Sequence, residues 1–515
     1  MALHVCRGLT MTRVHAVDDS LEPSLTNMLE GRGGRWINRA LLALAALAIA
    51  GWLFLGLAHL NDRYQVSHVQ GAWMGLAEFA NEDILYPPLY DGERYGGTRW
   101  MPLPILLNAA AARLSGEYLM SGKLVALVMM ALLLILVFRA LRKVACPLPL
   151  SVALTATILA THQGRNAGTT LGGDLLPVVL QLGALLAATS IQRGGLLAAG
   201  ALAGLAVASK TSALWAALAL GTWLVVNRRW RDLAFFGGIF VVVAGLVLGA
   251  VELASNGRFS DNLRVLTLAG VGGGAGPIRA PNQVLFNLAQ YGPAIWALLP
   301  LALLGAVTRG GWRRISSYHF ALGWALVLLL IVYTDVGTSF NQLLDVTVLT
   351  VIAVGSLAGR LQRAQGQAPL AVALALVVLW GAGTGVALSL VPDIRGTLRG
   401  DAVVYPTDPL AGLVGPGDEL LSEDPYVPLS MGRKPTVLDP FMLHRLDSAD
   451  PETVDHLIRR IEEKQFAYVV MVLRLEVNDW WWEKFHFGPR VIDALRHAYA
   501  LEGMADGYFV YRPSP

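Results

Sequence analysis

The chain of 515 residues is 55% hydrophobic and only 15% charged, with a mean hydropathy of +0.52, whereas soluble domains usually carry about 25% charged residues. This composition excludes a soluble globular protein, and the small net charge of +3 gives no reason to expect a nucleic-acid partner. The two cysteines, Cys6 and Cys146, cannot form a disulfide framework or a thiolate metal site.

A polar tail, residues 1–36, precedes the first apolar segment. It lacks the apolar region and cleavage site of a signal peptide, so we predict a cytoplasmic tail. Residues 37–392 then contain repeated apolar segments able to cross about 30 Å of hydrocarbon. We predict an all-α polytopic membrane domain of about eleven transmembrane helices, at residues 38–60, 119–140, 147–162, 174–191, 194–209, 211–226, 232–252, 285–307, 317–334, 339–358 and 368–392.

Basic residues mark alternate connections between these helices. They are Arg32, Arg35 and Arg39; Arg139, Arg142 and Lys143; Arg193; Arg228, Arg229 and Arg231; Arg309, Arg313 and Arg314; and Arg360 and Arg363. Short basic loops stay in the cytoplasm. The alternation therefore predicts a multi-pass protein of the inner or plasma membrane, with a cytoplasmic N-terminus and an outer loop at residues 61–118.

Two further regions lie outside by the same alternation. Within the first outer loop, Met101–Leu114 is too short and interrupted to span, and is predicted to be an interfacial helix. Residues 393–515 have the composition of a soluble domain, for which we predict a small extracytoplasmic α/β fold. Its predicted strands and helices are Glu419–Leu421, Thr436–Leu438 and Ala467–Val472, and Pro451–Lys464 and Arg490–His497, respectively.

Polar residues at the membrane boundary gather on the outer side. They include Asp62, Tyr64 and His68 after the first helix, Arg165 and Asp174 around the second outer turn, Lys210 in the third, and Asp335 and Asn341 in the fifth. An ionisable group within a membrane span is costly and is a functional candidate. Lys210 could bind a lipid phosphate as a point charge; alternatively, it could snorkel or pair with Asp174.

These groups suit a sugar carried on a polyprenyl phosphate. Cations would stabilise charge on the departing phosphate, and one carboxylate could accept the proton of an attacking hydroxyl. Asp62 is the acid beside the first span and is the predicted base, with Glu82 and Asp83 as alternatives. No Asp-x-Asp motif is present, so a divalent metal is conceivable but not indicated. His68 and His162 could in principle meet at a metal, but two isolated histidines are more often polar interface residues than metal ligands.

The order of motifs resembles the GT-C superfamily of membrane glycosyltransferases, in particular the protein O-mannosyltransferase and aminoarabinose transferase branch. The matching stretches are Asn61-Asp62-Arg63-Tyr64, Leu85-Tyr86-Pro87-Pro88, Tyr95-Gly96-Gly97-Thr98-Arg99-Trp100, the turn from Arg165 to Asp174, Ser209-Lys210-Thr211-Ser212, and Gly337 to Leu344. The family's Asp-Glu pair is replaced here by Asn61-Asp62. The resemblance implies a GT-C fold, Asp62 as the base, and substrate-binding roles for Tyr64, Tyr86, Tyr95, Arg165, Asp174, Lys210 and Asn341.

Two other motifs carry weaker signals. The segment from Gly270 to Gly276 could cradle a phosphate or form a lid, with Arg279 as its candidate phosphate ligand; a plain linker is an equal alternative. Trp480-Trp481-Trp482 could bind a sugar, anchor the domain at the membrane surface or pack in a core.

The sequence thus predicts an inverting glycosyltransferase that moves a sugar from a polyprenyl-phosphate donor to a hydroxyl of a glycan, lipid or protein acceptor outside the membrane. An O-antigen ligase or polymerase would place its large loop later in the chain. A transporter would be expected to show internal repeats. A structural scaffold would leave Lys210 and Asp62 without a role.

Overall fold

A computed structural model describes residues 32–190, 192–268, 276–307, 315–335, 337–364, 367–401, 410, 412–415 and 417–515. Most of the predicted tail and the glycines at 270 and 272–274 lie outside these ranges. Within them, a helical membrane domain is followed by a small α/β domain, as the sequence predicted.

Helices form nearly all of the described membrane domain, because a backbone inside hydrocarbon must satisfy its own hydrogen bonds. In chain order they are α1 (Arg32–Ala58), α2 (His68–Asn81), α3 (Pro102–Ser115), α4 (Tyr118–Lys143), α5 (Leu148–Ala160), α6 (His162–Thr169), α7 (Leu175–Ala187), α8 (Arg193–Val207), α9 (Trp215–Val226), α10 (Trp230–Ala254), α11 (Arg258–Leu268), α12 (Gly276–Tyr291), α13 (Pro293–Val307), α14 (Ser317–Val332), α15 (Leu344–Arg363), α16 (Ala368–Gly385) and α17 (Val391–Arg399).

Five helical stretches of the described residues are long and apolar enough to cross a membrane: Gly34–Ala58, Tyr118–Lys143, Trp230–Ala254, Phe340–Arg363 and Ala368–Arg399. Six shorter apolar helices are α5, α7, α8, α9, α13 and α14. Each of these segments overlaps one of the predicted helices, although the predicted helix 285–307 is divided between α12 and α13. The last stretch continues through a π-helical turn, Val386–Leu390, into α17 and so extends beyond residue 392, where the membrane domain was predicted to end.

The loop between α1 and α4 is folded rather than irregular. It contains α2, which the sequence did not predict, and α3, which coincides with the predicted helix Met101–Leu114. Ser67 and Gln70 form a capping box that fixes the start of α2. Gly116 ends α3 in the left-handed conformation, at φ 77°. We call this end of the helix bundle, which carries the loop and the C-terminal domain, the loop face.

The C-terminal domain has a four-stranded sheet in the order β1-β2-β4-β3, from strands Leu420–Ser422, Tyr468–Met471, Tyr499–Ala505 and Tyr508–Pro513. Strands β1 and β2 are parallel and the other pairs are antiparallel. Its helices are α18 (Tyr426–Ser430), α19 (Pro440–Ala449), α20 (Pro451–Glu462), α21 (Asp479–Lys484) and α22 (Pro489–Ala498). The predicted elements that overlap β1, β2, α20 and α22 are therefore confirmed.

The predicted strand Thr436–Leu438 is wrong. This segment does not enter the sheet, because its backbone pairs with the first loop instead. The backbone N–H of Tyr95 donates to Thr436 at 2.8 Å, and the N–H of Leu438 donates to Tyr95 at 2.9 Å. The result is an isolated bridge between Tyr95 and Val437, which joins loop and domain.

A buried ion pair also joins the loop to the C-terminal domain. Nη2 of Arg63 donates to Oδ2 of Asp424 at 2.5 Å, and the side chains are 1% and 3% exposed. The Tyr508 hydroxyl donates to the same carboxylate at 2.7 Å, and the Arg63 guanidinium lies over the Tyr426 ring at 4.3 Å. Removing one partner of such a pair leaves a buried charge uncompensated.

We expect Arg63→Met to lower the thermal stability of the purified protein more than any exposed ion-pair variant does. The loss should be on the order of 3–5 kcal/mol, since Asp424 would keep its buried charge without its partner. Thermal unfolding in detergent measures it. Arg474→Met is the matched control, because Arg474 and its partner Glu476 are 48% and 44% exposed. Equal melting temperatures for the two variants would contradict the larger contribution to stability that we assign to the buried pair.

Candidate functional site

A cavity of about 1060 Å³ opens on the loop face, between the helix bundle and the C-terminal domain. Its walls come from α2, from α3 and the segment before it, from α4, the turn from α6 to α7, α12, the segment before α15, and helices α19 and α21. Small-molecule sites usually measure roughly 300–1,000 Å³. The volume of this cavity is therefore at the upper end of the range for ligand-binding sites.

The cavity has an apolar part and a polar part. Val125, Ala126 and Met129 of α4, together with Leu175 and Leu176 of α7, contribute apolar wall within the bundle. Polar groups from the connecting segments line the rest, including Gln65, Arg99, Asn166, Asp174, Asn341 and Asp439. A cavity divided in this way suits a ligand that has a hydrocarbon portion and a charged head.

Three predicted site residues from three separate turns meet at the cavity. Nζ of Lys210 donates to Oδ1 of Asp174 at 2.8 Å, and Nδ2 of Asn341 donates to its Oδ2 at 2.9 Å. Asp174 and Asn341 line the cavity. Lys210 therefore has the Asp174 partner that the sequence offered as an alternative, while its side chain stays 21% exposed.

Arg165 and Tyr64 belong to a second cluster. Nε of Arg165 donates to Oδ2 of Asp393 at 2.8 Å, and its Nη2 donates to Ser389 at 2.6 Å. Burial and the charge of Asp393 raise the pKa of Tyr64 to about 12. Gln65 connects this cluster to the cavity, which it lines, because it donates to the Tyr64 hydroxyl at 3.1 Å.

Asp62 lies beside this second cluster. Its Oδ2 is 2.6 Å from Nδ1 of His59, and its Oδ1 accepts the backbone N–H of Tyr64 at 2.9 Å. Lys123 donates to the backbone carbonyls of His59 and Asp62 at 2.7 and 2.6 Å, which fixes the chain here. The Asp62 side chain is 28% exposed but is not part of the cavity wall. Its role as the base stays a prediction.

Arg99, a residue that sequence reasoning did not select, supplies positive charge to the cavity. Among the described residues that line the cavity it is the one lysine or arginine. Its Nη1 donates to Oδ2 of Asp335 at 2.6 Å, and Arg445 donates to the other oxygen at 2.6 Å. One carboxylate thus serves two guanidinium groups. Asp174 and Asp439 also line the cavity, so Arg99 belongs to a rim that carries charges of both signs.

A buried polar chain from the C-terminal domain also reaches the cavity, and sequence reasoning did not predict that its members meet. Oε1 of Glu423 is 2.7 Å from Nδ1 of His486, whose Nε2 is 3.1 Å from Nε2 of His68. Burial lowers the pKa of each histidine to about 3, so both are neutral near pH 7. Burial raises the pKa of Glu423. The sequence offered His68 as a candidate but gave no signal that His486, 418 positions away, would meet it.

The remaining predicted site residues lie elsewhere. Tyr86 is 2% exposed and donates to the Trp100 carbonyl at 2.6 Å. Tyr95 is 3% exposed and donates to the Thr453 carbonyl in the core of the C-terminal domain. Arg279 is exposed in the first turn of α12, outside the cavity wall. The alternative bases also lie off this wall, with Glu82 paired to Lys434 at 2.5 Å. Within the described ranges, no three histidine, cysteine or acidic side chains are grouped to hold a metal.

No protein-family model and no curated protein sequence matches the chain. The structure is similar to two crystal structures of ArnT from Cupriavidus metallidurans. For ArnT bound to undecaprenyl phosphate, the identity is 13% and the TM-score 0.57; for apo ArnT they are 15% and 0.54. Each likeness covers 91% of this chain and 97% of the other. It shows that this chain has the fold of those ArnT structures, in agreement with the fold that the sequence resemblance implied.

Asp439 should make stability depend on pH. Burial raises its pKa to about 6, although it accepts the N–H groups of Phe441 and Met442 at the start of α19. An unfolded aspartate titrates near pH 4. Between about pH 4 and 6 the folded state therefore keeps a proton that the unfolded state has lost. The resulting stabilisation is complete below pH 4 and is lost as the pH rises through 6.

We expect Asp439→Asn, which preserves the helix cap, to remove this dependence. The stability of the wild type relative to the variant should fall between pH 4 and pH 7 by on the order of 2 kcal/mol. Thermal unfolding of both proteins across this pH range provides the measurement. A stability difference that stays constant with pH would contradict the assignment.

Proposed function

We propose that this protein is an inverting glycosyltransferase that moves a sugar from a polyprenyl-phosphate donor to an acceptor hydroxyl at the outer face of the inner or plasma membrane. In this proposal the N-terminus is cytoplasmic and the loop face is outside. The carrying observation is the cavity, which combines apolar walls within the bundle with a polar rim that includes Arg99. The fold shared with ArnT, which has been crystallised with undecaprenyl phosphate, supports the same donor class.

The two parts of the cavity match the two parts of such a donor. The apolar walls of α4 and α7 would take the first isoprene units of the lipid. The phosphate would then lie at the polar rim, where Arg99 and Arg445 share the carboxylate of Asp335. A guanidinium can bind phosphate oxygens in a bidentate manner. Lys210, held by Asp174 and 21% exposed, would add a point charge.

The reaction is a single displacement. The acceptor oxygen attacks the anomeric carbon from the side opposite the phosphate, and the bond between that carbon and the phosphate oxygen breaks with its electron pair. The configuration at carbon therefore inverts, and the phosphate leaves with one more negative charge. Arg99 and Lys210 would stabilise this charge as it develops. The hydroxyl proton goes to a base, and the proposed reaction uses no metal.

Asp62 is the proposed base. Its carboxylate accepts the backbone N–H of Tyr64, and it lies three positions before Gln65, which lines the cavity. His59 contacts the carboxylate and itself contacts Thr397 at 2.8 Å, so the group is held in position. An ionised carboxylate that is partly exposed can accept a proton from a hydroxyl. The acceptor could be a glycan, a lipid or a protein.

Asp62→Asn should reduce sugar transfer by about 10²–10⁴-fold, because an amide cannot accept the hydroxyl proton. Asn can still accept the Tyr64 N–H, and Lys123 keeps its bonds to the backbone carbonyls of His59 and Asp62, but it loses the Asp62 carboxylate 3.8 Å away. Thermal unfolding of the purified variant therefore accompanies the assay and checks that the variant is folded. Incubation of the purified protein with a panel of polyprenyl-phosphate sugars, followed by mass spectrometry of the lipids, measures transfer. The same panel identifies the sugar.

Asp261→Asn is the control for that experiment, because Asp261 is an exposed acid on α11 outside the cavity wall. It should leave transfer unchanged. Full activity in Asp62→Asn would instead move the base to a carboxylate that lines the cavity, Asp174 or Asp439. Consumption of no polyprenyl-phosphate sugar by the wild type would count against the proposed function itself.

Arg99→Ala should weaken binding of undecaprenyl phosphate by about tenfold or more, because a hydrogen bond to a charged group contributes roughly 1.5–3 kcal/mol. Lys210→Ala should weaken it less, because Lys210 is already paired with Asp174 and lies outside the cavity wall. Titration of the lipid phosphate into the protein in nanodiscs measures both. Arg113→Ala, on the exposed end of α3, is the control. Unchanged affinity in Arg99→Ala would mean that the phosphate does not bind at this rim.

A further inference from the structure

Part of the cavity lining is aromatic and has no role in the reaction described so far. Trp480, Trp481 and Phe485 of the C-terminal domain line the cavity, and so do Trp73 of α2 and Trp100, which stack on each other. The Trp73 and Trp100 ring centroids are 4.4 Å apart and the rings are nearly parallel, at 3°. We call these five side chains the aromatic wall.

The three consecutive tryptophans have different environments. Trp482 is 1% exposed and belongs to the core of the C-terminal domain. Trp481 is half-buried, lines the cavity and donates its indole N–H to Oε1 of Glu423 at 2.9 Å. Trp480 is 57% exposed while lining the cavity. Packing therefore accounts for Trp482 and leaves the ring of Trp480 available for a ligand.

We assign the protons of both histidines from the hydrogen bonds around Glu423, taken as the carboxylate. Glu423 accepts the indole N–H of Trp481 and the backbone N–H of Val472, the latter at 2.7 Å. Surrounded by donors, its carboxylate takes the proton-bearing Nδ1 of His486 as a further donor. Neutral His486 then has a lone pair on Nε2.

This lone pair determines the state of His68. The two Nε2 atoms are 3.1 Å apart, and with this assignment for His486 the Nε2 of His68 is the donor between them. Nδ1 of neutral His68 is then an acceptor. Within the described part of the chain, Nδ1 has no hydrogen-bond partner, and the imidazole lines the cavity. A fixed acceptor thus lies beside the aromatic wall.

We propose that the aromatic wall and Nδ1 of His68 form a subsite for a pyranose ring, with a ring hydroxyl donating to Nδ1. A pyranose presents C–H groups on its faces, which suit an aromatic surface, and hydroxyls at its edge, which need polar partners. Ligand sites combine these two features, aromatic area and a few placed polar groups. A role for this subsite in sugar transfer rests on the proposed function, whereas the binding of a sugar to the subsite does not.

The subsite is composite. His68 and Trp73 come from α2 of the first loop, whereas His486 and Trp480 come from the C-terminal domain. His68 is held by the contact with His486, and Trp481 packs edge-on against His68 at 6.2 Å. The sugar-binding geometry therefore depends on the two parts being docked. A pyranose in the donor or a pyranose in the acceptor would present the same chemistry to this wall.

Sugar binding is tested without any transfer reaction. Methyl pyranosides of glucose, mannose, galactose and arabinose are added to the full-length protein in nanodiscs, and saturation-transfer NMR measures binding. At least one pyranoside should bind the wild type. Trp480→Ala should weaken it, and Trp380→Ala should not, since Trp380 is 63% exposed on α16 outside the cavity wall. Equal binding in both variants, or no binding to the wild type, would overturn the subsite.

Two substitutions of His68 separate a ligand role from a structural one. The amide nitrogen of Gln can replace Nε2 and keep the donor to His486, but His68→Gln loses the acceptor at Nδ1. His68→Asn has its amide near the position of Nδ1 and loses the bond to His486. Binding should be weakened about three- to tenfold in His68→Gln and less in His68→Asn. The reverse order would mean that His68 acts only by holding the domain, and would overturn its contact with the sugar.

Competition identifies the source of the ring. A polyprenyl-phosphate sugar that displaces the pyranoside, when undecaprenyl phosphate alone does not, assigns the subsite to the donor. A pyranoside that stays bound with either lipid present assigns it to the acceptor, which is then a carbohydrate. Displacement by undecaprenyl phosphate alone would mean that the lipid occupies the wall, and would overturn the proposal. If binding is seen but no transfer occurs, the proposed function fails and the subsite stands.

Discussion

The buried contact between Arg63 and Asp424 is the interaction on which the site depends. It joins the start of the first loop to the C-terminal domain within a shell that includes Tyr426 and Tyr508. The walls of the cavity come from both of these parts. A pair that is buried on both sides tolerates little displacement, because separation would leave each charge without solvent or partner. The cavity keeps its shape because this junction is fixed.

The junction also explains why the first loop is ordered over its length. Lys123 reaches from α4 to the carbonyls of His59 and Asp62, and Tyr95 inserts its ring into the core of the C-terminal domain. Between these two anchors, α2 and α3 pack their apolar faces against neighbouring helices. The polar and aromatic residues of the loop therefore differ in role. Tyr86 and Tyr95 hold the structure together, whereas Gln65, His68 and Arg99 line the cavity.

The sequence predicted the helices well because hydropathy acts locally: a segment crosses the membrane or not according to its own residues. It also brought Asp174, Lys210 and Asn341 to one face, and the structure joins them directly. It could not find the chain from Glu423 to His68, since pairing across 418 positions leaves no trace in local composition. The prediction that Thr436–Leu438 joins the sheet was wrong because local sequence indicates an extended segment but not the segment with which it pairs. Here the partner is Tyr95 of the first loop.

The composite walls of the cavity set a condition on biosynthesis. The helices that contribute apolar wall, α4 and α7, are made early, and the residues after Arg399 are made last. During synthesis a groove in the membrane domain exists before the domain that completes it. An incomplete chain on the ribosome therefore has the part of the cavity lining that the membrane domain contributes, but it lacks His486 and the tryptophans of α21. Completion of the cavity coincides with folding of the C-terminal domain, so premature termination yields a protein that lacks an enclosed site.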